Sequence, residues 1–300
     1  MHKMLRAVGF SKLKTRKDIQ NLIIHSIQTA DEKAYTTSYG ETETEGCMFA
    51  EYKTEFAPGM GVCVRGEFDE ENRFVYQYYF PYLNPKCITT MEDVTLERHT
   101  EKLSYAGVVD DYKVGVSIIF YLQNMITYLK LQGEDRLPVK GTTLSLAGLS
   151  DRGKILMPIQ KNERDIRKLR SLDRRKNQMI AAARNGDEEA MENLTIADMD
   201  TYSALQKRIH GEDVLSLVDT YFIPYGMECD LYSILGEIKE VEKVKNQISG
   251  EEIYVLTLNV NDLIFDICIN ALDLLGEPVV GRRYKGMVWL QGYINYPEGT

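Results

Sequence analysis

Apolar and polar residues alternate most regularly between Tyr232 and Tyr296, which predicts a group of β-strands in the last part of the chain. Four runs rich in Ile, Val, Leu and aromatic residues are separated by Asn, Gly, Asp and Pro: YSILGEIKEVEKVKN, EEIYVLTLNVN, DLIFDICIN and VGRRYKGMVWLQGYINY. Their order is similar to that of an OB-type barrel, with the usual helix before the last strand reduced to ALDLLGEP. We therefore predict a small OB-like β-barrel over residues 227–300.

The first part of the chain has the patterns of one helix and an antiparallel sheet. Ser11 to Gln28 carries apolar residues on one side, and Thr15 and Asp18 have capping-box spacing at its start. Between Gly46 and Leu83 the period changes to two in three runs joined by turn residues, which predicts a three-stranded meander. In the third run, strict alternation would put five aromatic residues on one side, where packing is favoured over stacking of sugars, bases or a peptide: Phe74, Tyr76, Tyr78, Phe80 and Tyr82.

Residues 104–159 complete the predicted N-terminal α+β domain, 1–159. The run SYAGVVDDYKVGVSIIFYLQNMITYLK predicts a strand, a turn at Asp110–Asp111, and an element that begins as a strand and ends as a helix. The next run, TTLSLAGLSDRGKILMPI, predicts a hairpin with its turn at Ser150–Gly153. Part of it resembles a phosphate-binding loop, but Ile155 replaces the magnesium-binding Ser or Thr and the context is two strands, so no nucleotide site is expected.

Residues 160–226 are charged and have a helical pattern, which predicts a helical connector. Basic residues between Lys161 and Lys176 are followed by an acidic run from Asp187 to Glu192, so internal pairing or solvation is favoured over nucleic-acid contact. The predicted class is α+β: an N-terminal helix plus antiparallel sheet, the helical connector, and the C-terminal small β-barrel.

Composition narrows the possible functions mainly by exclusion. The 300 residues include 44% hydrophobic residues, enough for a buried core, and the net charge of -9 disfavours nucleic acid and anionic membranes as partners. The cysteines are scattered without metal-ligand or redox spacing, and the N-terminus has no secretion-signal pattern: Cys47, Cys63, Cys87, Cys229 and Cys268. We expect a cytoplasmic protein without a metal, a cofactor or a membrane segment; its oligomeric state is left open.

Candidate catalytic residues are few. The chain contains neither a G-x-S-x-G elbow nor an H-E-x-x-H helix, and its four histidines are far apart in sequence. His99, with Asp110 and Asp111, is the best candidate for acid–base chemistry, against the simpler interpretation of a surface or structural histidine.

Alternation in the last strand would direct four residues into the barrel core: Tyr284, Val288, Leu290 and Ile294. The opposite side of the strand then carries a stripe of mainly basic and aromatic residues: Arg283, Lys285, Met287, Trp289, Gln291 and Tyr293. Four of these could bind a ligand or single-stranded nucleic acid: Arg283, Lys285, Trp289 and Tyr293. The alternative, which we favour, is that other parts of the chain cover the stripe with Trp289 as the anchor.

The chain also resembles an uncharacterised bacterial family, domain of unknown function 3881. The similarity extends over the whole chain and is carried by LRAVGFSKLKTR, by the run from Arg184 to Ile238, and by GEPVVGRRYKGMVWLQG. The resemblance implies a cytoplasmic protein of gut-type anaerobic bacteria and brings no established activity, cofactor or site residue.

Three functional hypotheses follow. The absence of catalytic motifs favours a non-enzymatic module that binds a protein or a small molecule. One alternative is single-stranded nucleic-acid binding through the OB-like unit, although nucleic acid is disfavoured by charge. The other is an enzyme with a site between the N-terminal sheet and the helical connector.

Overall fold

The computed structural model describes residues 2–37, 48–98, 104–111, 114, 116–138, 140–158, 219–225 and 230–297. Met1–Leu156 and Thr220–Thr300 together form one compact unit, and Met157–Asp219 forms a second. The predicted helical connector, 160–226, lies outside the described residues except for 219–225.

The first α-helix, α1 (Arg16–Gln28), begins at the predicted capping box. The Thr15 hydroxyl accepts a hydrogen bond from the Asp18 N–H at 3.1 Å, and the Asp18 carboxylate accepts one from the Thr15 N–H at 2.9 Å. These bonds satisfy N–H groups that the first turn leaves without helical partners. A short 3₁₀ helix, Lys3–Val8, precedes α1 in the chain.

The first sheet contains four antiparallel strands in the order β1-β2-β3-β4. The predicted meander is confirmed as its last three strands, and β1 is added in front of them: β1 (Glu32–Thr36), β2 (Phe49–Ala57), β3 (Met60–Phe68) and β4 (Phe74–Leu83). One face of this sheet packs on the buried side of α1, with Ile19, Leu22 and Ile23 in the same apolar cluster as Val62 and Val64.

A β-bulge in β4 divides its aromatic side chains between the two faces of the sheet. The register pairs Arg65 with Tyr78 but Gly66 with Tyr76, so Gln77 is an extra residue in β4. Phe74 and Tyr76 therefore lie on the face opposite to that of the three later aromatic residues, Tyr78, Phe80 and Tyr82. The prediction that all five share one side is wrong, because an inserted residue reverses the alternation.

Among the described residues, the remaining strands form a ten-stranded sheet. Its strands in chain order are β5 (Val94–Arg98), β6 (Tyr105–Asp111), β7 (Val116–Leu122), β8 (Thr143–Leu156), β9 (Tyr221–Pro224), β10 (Leu231–Lys245), β11 (Glu252–Val260), β12 (Leu263–Asn270), β13 (Leu274–Leu275) and β14 (Arg283–Asn295). The second α-helix, α2 (Met125–Gly133), lies between β7 and β8 in the chain. The predicted element that changes from strand to helix is confirmed as β7 followed by α2. The predicted turn at Asp110–Asp111 is wrong, because both residues belong to β6 and pair with Ser117 and Val116 of β7.

Five of these strands close into a barrel in the order β8-β12-β11-β10-β14, with β14 pairing back to β8. The α+β class and the C-terminal barrel are therefore confirmed. The barrel is not contained in 227–300, however, because its closing strand comes from residues 143–156. Strands β7, β6 and β5 extend the sheet outward from β14.

β8 is a single strand of 14 residues, so the predicted hairpin with a turn at Ser150–Gly153 is wrong. The residues that suggested a turn have packing roles instead. The Ser150 hydroxyl donates to the Met287 carbonyl at 2.6 Å and accepts from the Tyr284 hydroxyl at 2.6 Å. Gly153 leaves room for the Tyr284 ring, which would lie 2.4 Å from an added Cβ. The stretch that resembles a phosphate-binding loop therefore lies inside a strand.

Two apolar clusters form the core of the part of the chain that the structure describes. One fills the barrel and extends to β6, β7 and α2, and it contains the predicted core positions of β14: Tyr284, Val288, Leu290 and Ile294. The other lies between the outer side of the barrel, the 3₁₀ helix, α1 and the first sheet. The first sheet thus packs against the barrel. α1 covers only part of the sheet face on which it packs.

Candidate functional site

The outer stripe of β14 is largely covered. Trp289 is 8% exposed, and its indole N–H donates to the Asp230 carboxylate at 2.7 Å. Its ring centroid lies 5.3 Å from that of Tyr121 and 4.7 Å from that of His2. Trp289 therefore anchors β14 against the preceding parts of the chain.

The other predicted ligand-binding residues of this strand are also partly or fully enclosed. Arg283 is buried, while Lys285 and Tyr293 are half-buried. The ammonium nitrogen of Lys285 lies 5.9 Å from the centroid of the Tyr221 ring. These positions do not form an open face that would stack successive bases.

Of the predicted catalytic residues, the structure describes Asp110 and Asp111. His99 lies outside the described residues. Asp110 is exposed at the end of β6 and accepts a hydrogen bond from the Ser117 hydroxyl on β7 at 2.5 Å. Asp111 is buried beside it. The acid–base hypothesis stays a prediction.

Sequence reasoning missed a buried ionic cluster between the first sheet and β7. Arg65 is fully buried, and its Nε donates to the Glu51 carboxylate at 2.5 Å. One Nη donates to the Gln123 carbonyl at 2.6 Å, and the guanidinium carbon lies 4.7 Å from the centroid of the Phe80 ring. Lys53 completes the cluster, with its Nζ 3.6 Å from Glu51.

The electrostatics of this cluster fit a structural role, in which it acts as a brace that holds the first sheet against β7. Burial opposes ionisation of Glu51, but attraction by Arg65 and Lys53 outweighs it and lowers the pKa of Glu51. Burial, with the nearby Glu51 charge, raises the pKa of the Cys63 thiol well above its ordinary value. A protonated, enclosed thiol is a poor nucleophile. The cluster therefore holds the first sheet against β7 and offers no reactive group to solvent.

The face of the first sheet on which α1 packs is opposite to the face that carries Arg65. At the end that α1 does not cover, this face presents a group of aromatic rings. We call it the aromatic surface: Tyr35, Tyr52, Phe68, Phe74 and Tyr76. Tyr52 and Phe74 are 4.7 Å apart between centroids, Phe68 and Phe74 are 5.6 Å apart, and Tyr35 lies 6.2 Å from both Tyr52 and Phe68. These four rings contact one another in a closed circuit with tilted and edge-on geometry.

Two tyrosines make this surface accessible, since Tyr35 is 36% and Tyr76 is 45% exposed. They lie in one row across the sheet, separated by the small residues Ala50 and Gly66. A Cβ at Gly66 would lie 2.2 Å from the Val75 carbonyl oxygen, so the bulged part of β4 requires glycine there. The row therefore has one exposed ring at each end, on β1 and on β4.

The aromatic surface offers mainly nonpolar and stacking contacts. Burial, followed by the hydrogen bond to Tyr35, raises the pKa of Tyr52 to about 12, so its hydroxyl stays protonated near neutral pH. The Lys33 ammonium lies 5.7 Å from the centroid of the Tyr52 ring and supplies one exposed cation. Such a surface can stack on aromatic or apolar groups of a ligand.

β4 forms the adjacent edge of the first sheet, and its two halves differ. In the second half, two buried glutamine side chains hydrogen-bond backbone carbonyls that point outward from the edge. Gln291 donates to the Pro81 carbonyl at 2.8 Å, and Gln123 donates to the Leu83 carbonyl at 2.9 Å. In the first half, the backbone groups of Phe74 and Tyr76 point away from the sheet. This direction follows from the register, because the Phe68 N–H donates to Met48 on the other side of β3.

Two further findings concern the described residues. None of their helices has the length and apolar character needed to cross a membrane. No group of three or more His, Cys, Asp or Glu side chains among them is placed to hold a metal ion.

Comparison with known proteins gives one result. A family model described as "Domain of unknown function, E. rectale Gene description (DUF3881)" matches residues 5–292, which is nearly the whole chain. No curated protein and no solved structure matches.

Proposed function

The chain belongs to the DUF3881 family, whose function is unknown, and we propose that it is a binding module that takes an apolar segment of a partner protein on its aromatic surface. The observation that carries this proposal is the pair of exposed tyrosines, Tyr35 and Tyr76. They lie on a sheet face whose two middle strands, β2 and β3, carry further rings of the aromatic surface. Exposed aromatic groups of this kind are enriched where proteins meet partners.

A non-enzymatic role agrees with the placement of the ionisable groups. The most strongly perturbed cluster, around Arg65 and Glu51, is enclosed between sheets, whereas the aromatic surface carries tyrosines and Lys33. A site for acid–base or nucleophilic chemistry would bring a perturbed group to the surface that the substrate reaches.

The expected affinity from side chains alone is low. Covering the exposed parts of Tyr35 and Tyr76 would remove roughly 150 Å² from water, which is worth about 4 kcal/mol before the costs of association. That free energy corresponds to about millimolar binding at best. Useful affinity therefore needs contacts beside the two rings.

Replacing Tyr35 and Tyr76 together by alanine should weaken peptide binding by about tenfold or more, because both exposed rings are lost. The probe is a set of peptides enriched from a random phage-displayed library on the immobilised full chain, with affinities measured by fluorescence anisotropy. Tyr225→Ala is the matched control, since Tyr225 is 47% exposed and lies outside the aromatic surface. The proposal fails if no peptide is enriched, or if the double variant binds the peptides as tightly as the parent chain.

A further inference from the structure

The open half of the β4 edge lies directly beside the aromatic surface. Phe74 and Tyr76 belong to both features: their rings are on the aromatic face, and their backbone N–H and C=O groups point outward in the plane of the sheet. Among the described residues, no hydrogen-bond partner is seen for these backbone groups. Val75 between them has a side chain that is 51% exposed.

From this juxtaposition we propose that the partner segment binds as an added β-strand along Phe74–Tyr76, with alternate side chains resting on the aromatic surface. The inference rests on the proposed function and specifies the partner as an extended peptide. Strand addition gives affinity through main-chain hydrogen bonds, while pockets or rings beside the edge select alternate side chains. It supplies the contacts that the two tyrosines alone lack.

The contrast within β4 supports this assignment. Beyond the bulge, the edge is closed by the amide side chains of Gln123 and Gln291, both of which are buried. Exposed edges are commonly blunted by charged residues, proline, bulges or covering segments. The bulge at Gln77 limits the open stretch on one side, but the side chains within Phe74–Tyr76 are aromatic or β-branched, which favours strand pairing.

The short length of the open edge favours a peptide over a second copy of the chain. Gln77 forms the bulge, so the pairable stretch ends at Tyr76. Two copies that shared only this stretch would bury far less than the roughly 1,000 Å² expected of a stable interface. An extended peptide can instead pair with the edge and cover the aromatic surface at the same time.

Tyr76→Pro is expected to abolish peptide binding that Tyr76→Ala retains in weakened form. Both variants lack the ring, but only proline removes the outward N–H of residue 76. Because that N–H makes no bond within the sheet, the two variants should have similar thermal unfolding midpoints. Peptides are taken from the library selection, and affinities are measured by anisotropy.

N-methylation of the selected peptides gives a second measurement on the unmodified chain. Methyl groups at alternate peptide residues should weaken binding by about tenfold or more, and methyl groups at the intervening residues should be tolerated, because only every second residue of a paired strand faces β4. Binding that needs Tyr35 and Tyr76 but ignores both Tyr76→Pro and N-methylation overturns strand addition while leaving the proposed function standing. A dimer of the chain that Tyr76→Pro abolishes, without peptide binding, overturns the peptide as partner.

Discussion

Replacing Arg65 by methionine is expected to lower the free energy of unfolding by about 3–5 kcal/mol, because it leaves the Glu51 carboxylate buried without its main partner. The guanidinium also joins β3 to the Gln123 carbonyl beside β7, and methionine cannot make that bond. Urea unfolding followed by the fluorescence of Trp289, the single tryptophan of the chain, measures the change.

Two further variants test whether the expected loss comes from the buried ion pair. Arg73→Met removes an exposed arginine that pairs with Asp69, and it should change stability by less than about 1 kcal/mol. The double variant Glu51→Gln, Arg65→Met should be less destabilised than the sum of the two single changes, because neither Glu51 nor Arg65 then remains as a buried charge without the other. The loss of the Glu51 charge beside Lys53 is already part of the Glu51→Gln single change. A loss below about 1 kcal/mol for Arg65→Met would contradict the role of the cluster as a brace.

Gly286→Ala is expected to destabilise the barrel by about 3 kcal/mol through overpacking. The added Cβ would lie 2.1 Å from the Tyr284 hydroxyl and 2.8 Å from the Arg152 carbonyl, so neither the ring nor the neighbouring strand leaves room for it. Tyr284 cannot move away freely, since it is fully buried and its hydroxyl donates to Ser150 at 2.6 Å. Urea unfolding again measures the effect.

The control for this change is a second substitution at the ring itself. Tyr284→Ala alone should be strongly destabilising because it empties part of the core, by about 3–5 kcal/mol. Combined with Gly286→Ala it should cost less than the sum of the two, because the methyl group then enters space that the ring has vacated. Additive losses would show that Gly286 is required for a reason other than the contact with Tyr284.

Local sequence signals predicted the elements whose determinants are local. The capping box of Thr15 and Asp18 involves residues three positions apart, and both of its hydrogen bonds are present. The alternation in β14 likewise assigned its core residues correctly, because one uninterrupted strand keeps a period of two. The favoured interpretation of Trp289 as an anchor agrees with its burial.

Long-range pairing and a single inserted residue could not be seen in the same way. β8 closes the barrel by pairing with β14, which begins more than a hundred residues later, and Ser150 and Gly153 have the composition of a turn while they pack around Tyr284. The bulge at Gln77 has no composition signal of its own, yet it decides which aromatic rings share a face.

The buried ion pair depends on a register that the hairpin turn alone does not predict. Glu51 and Arg65 are direct partners across the β2–β3 hairpin, which turns at Pro58–Gly59. Regular pairing counted back from that turn would place Glu51 opposite Gly66 and Arg65 opposite Tyr52, so the two charges would lie on opposite faces. A β-bulge at Phe56 shifts the register by one residue and brings them together. Their burial by β7 and α2 depends on the tertiary fold, which the hairpin alone does not determine.

Hydrogen exchange at the amides of Phe74 and Tyr76 tests the central claim most directly. In the free chain both amides should exchange faster than that of Val75, which faces β3. Saturation with a library-selected peptide should slow both by about tenfold or more, because the peptide carbonyls then accept their hydrogen bonds. Unchanged exchange at Phe74 and Tyr76 in the saturated complex would contradict strand addition at this edge.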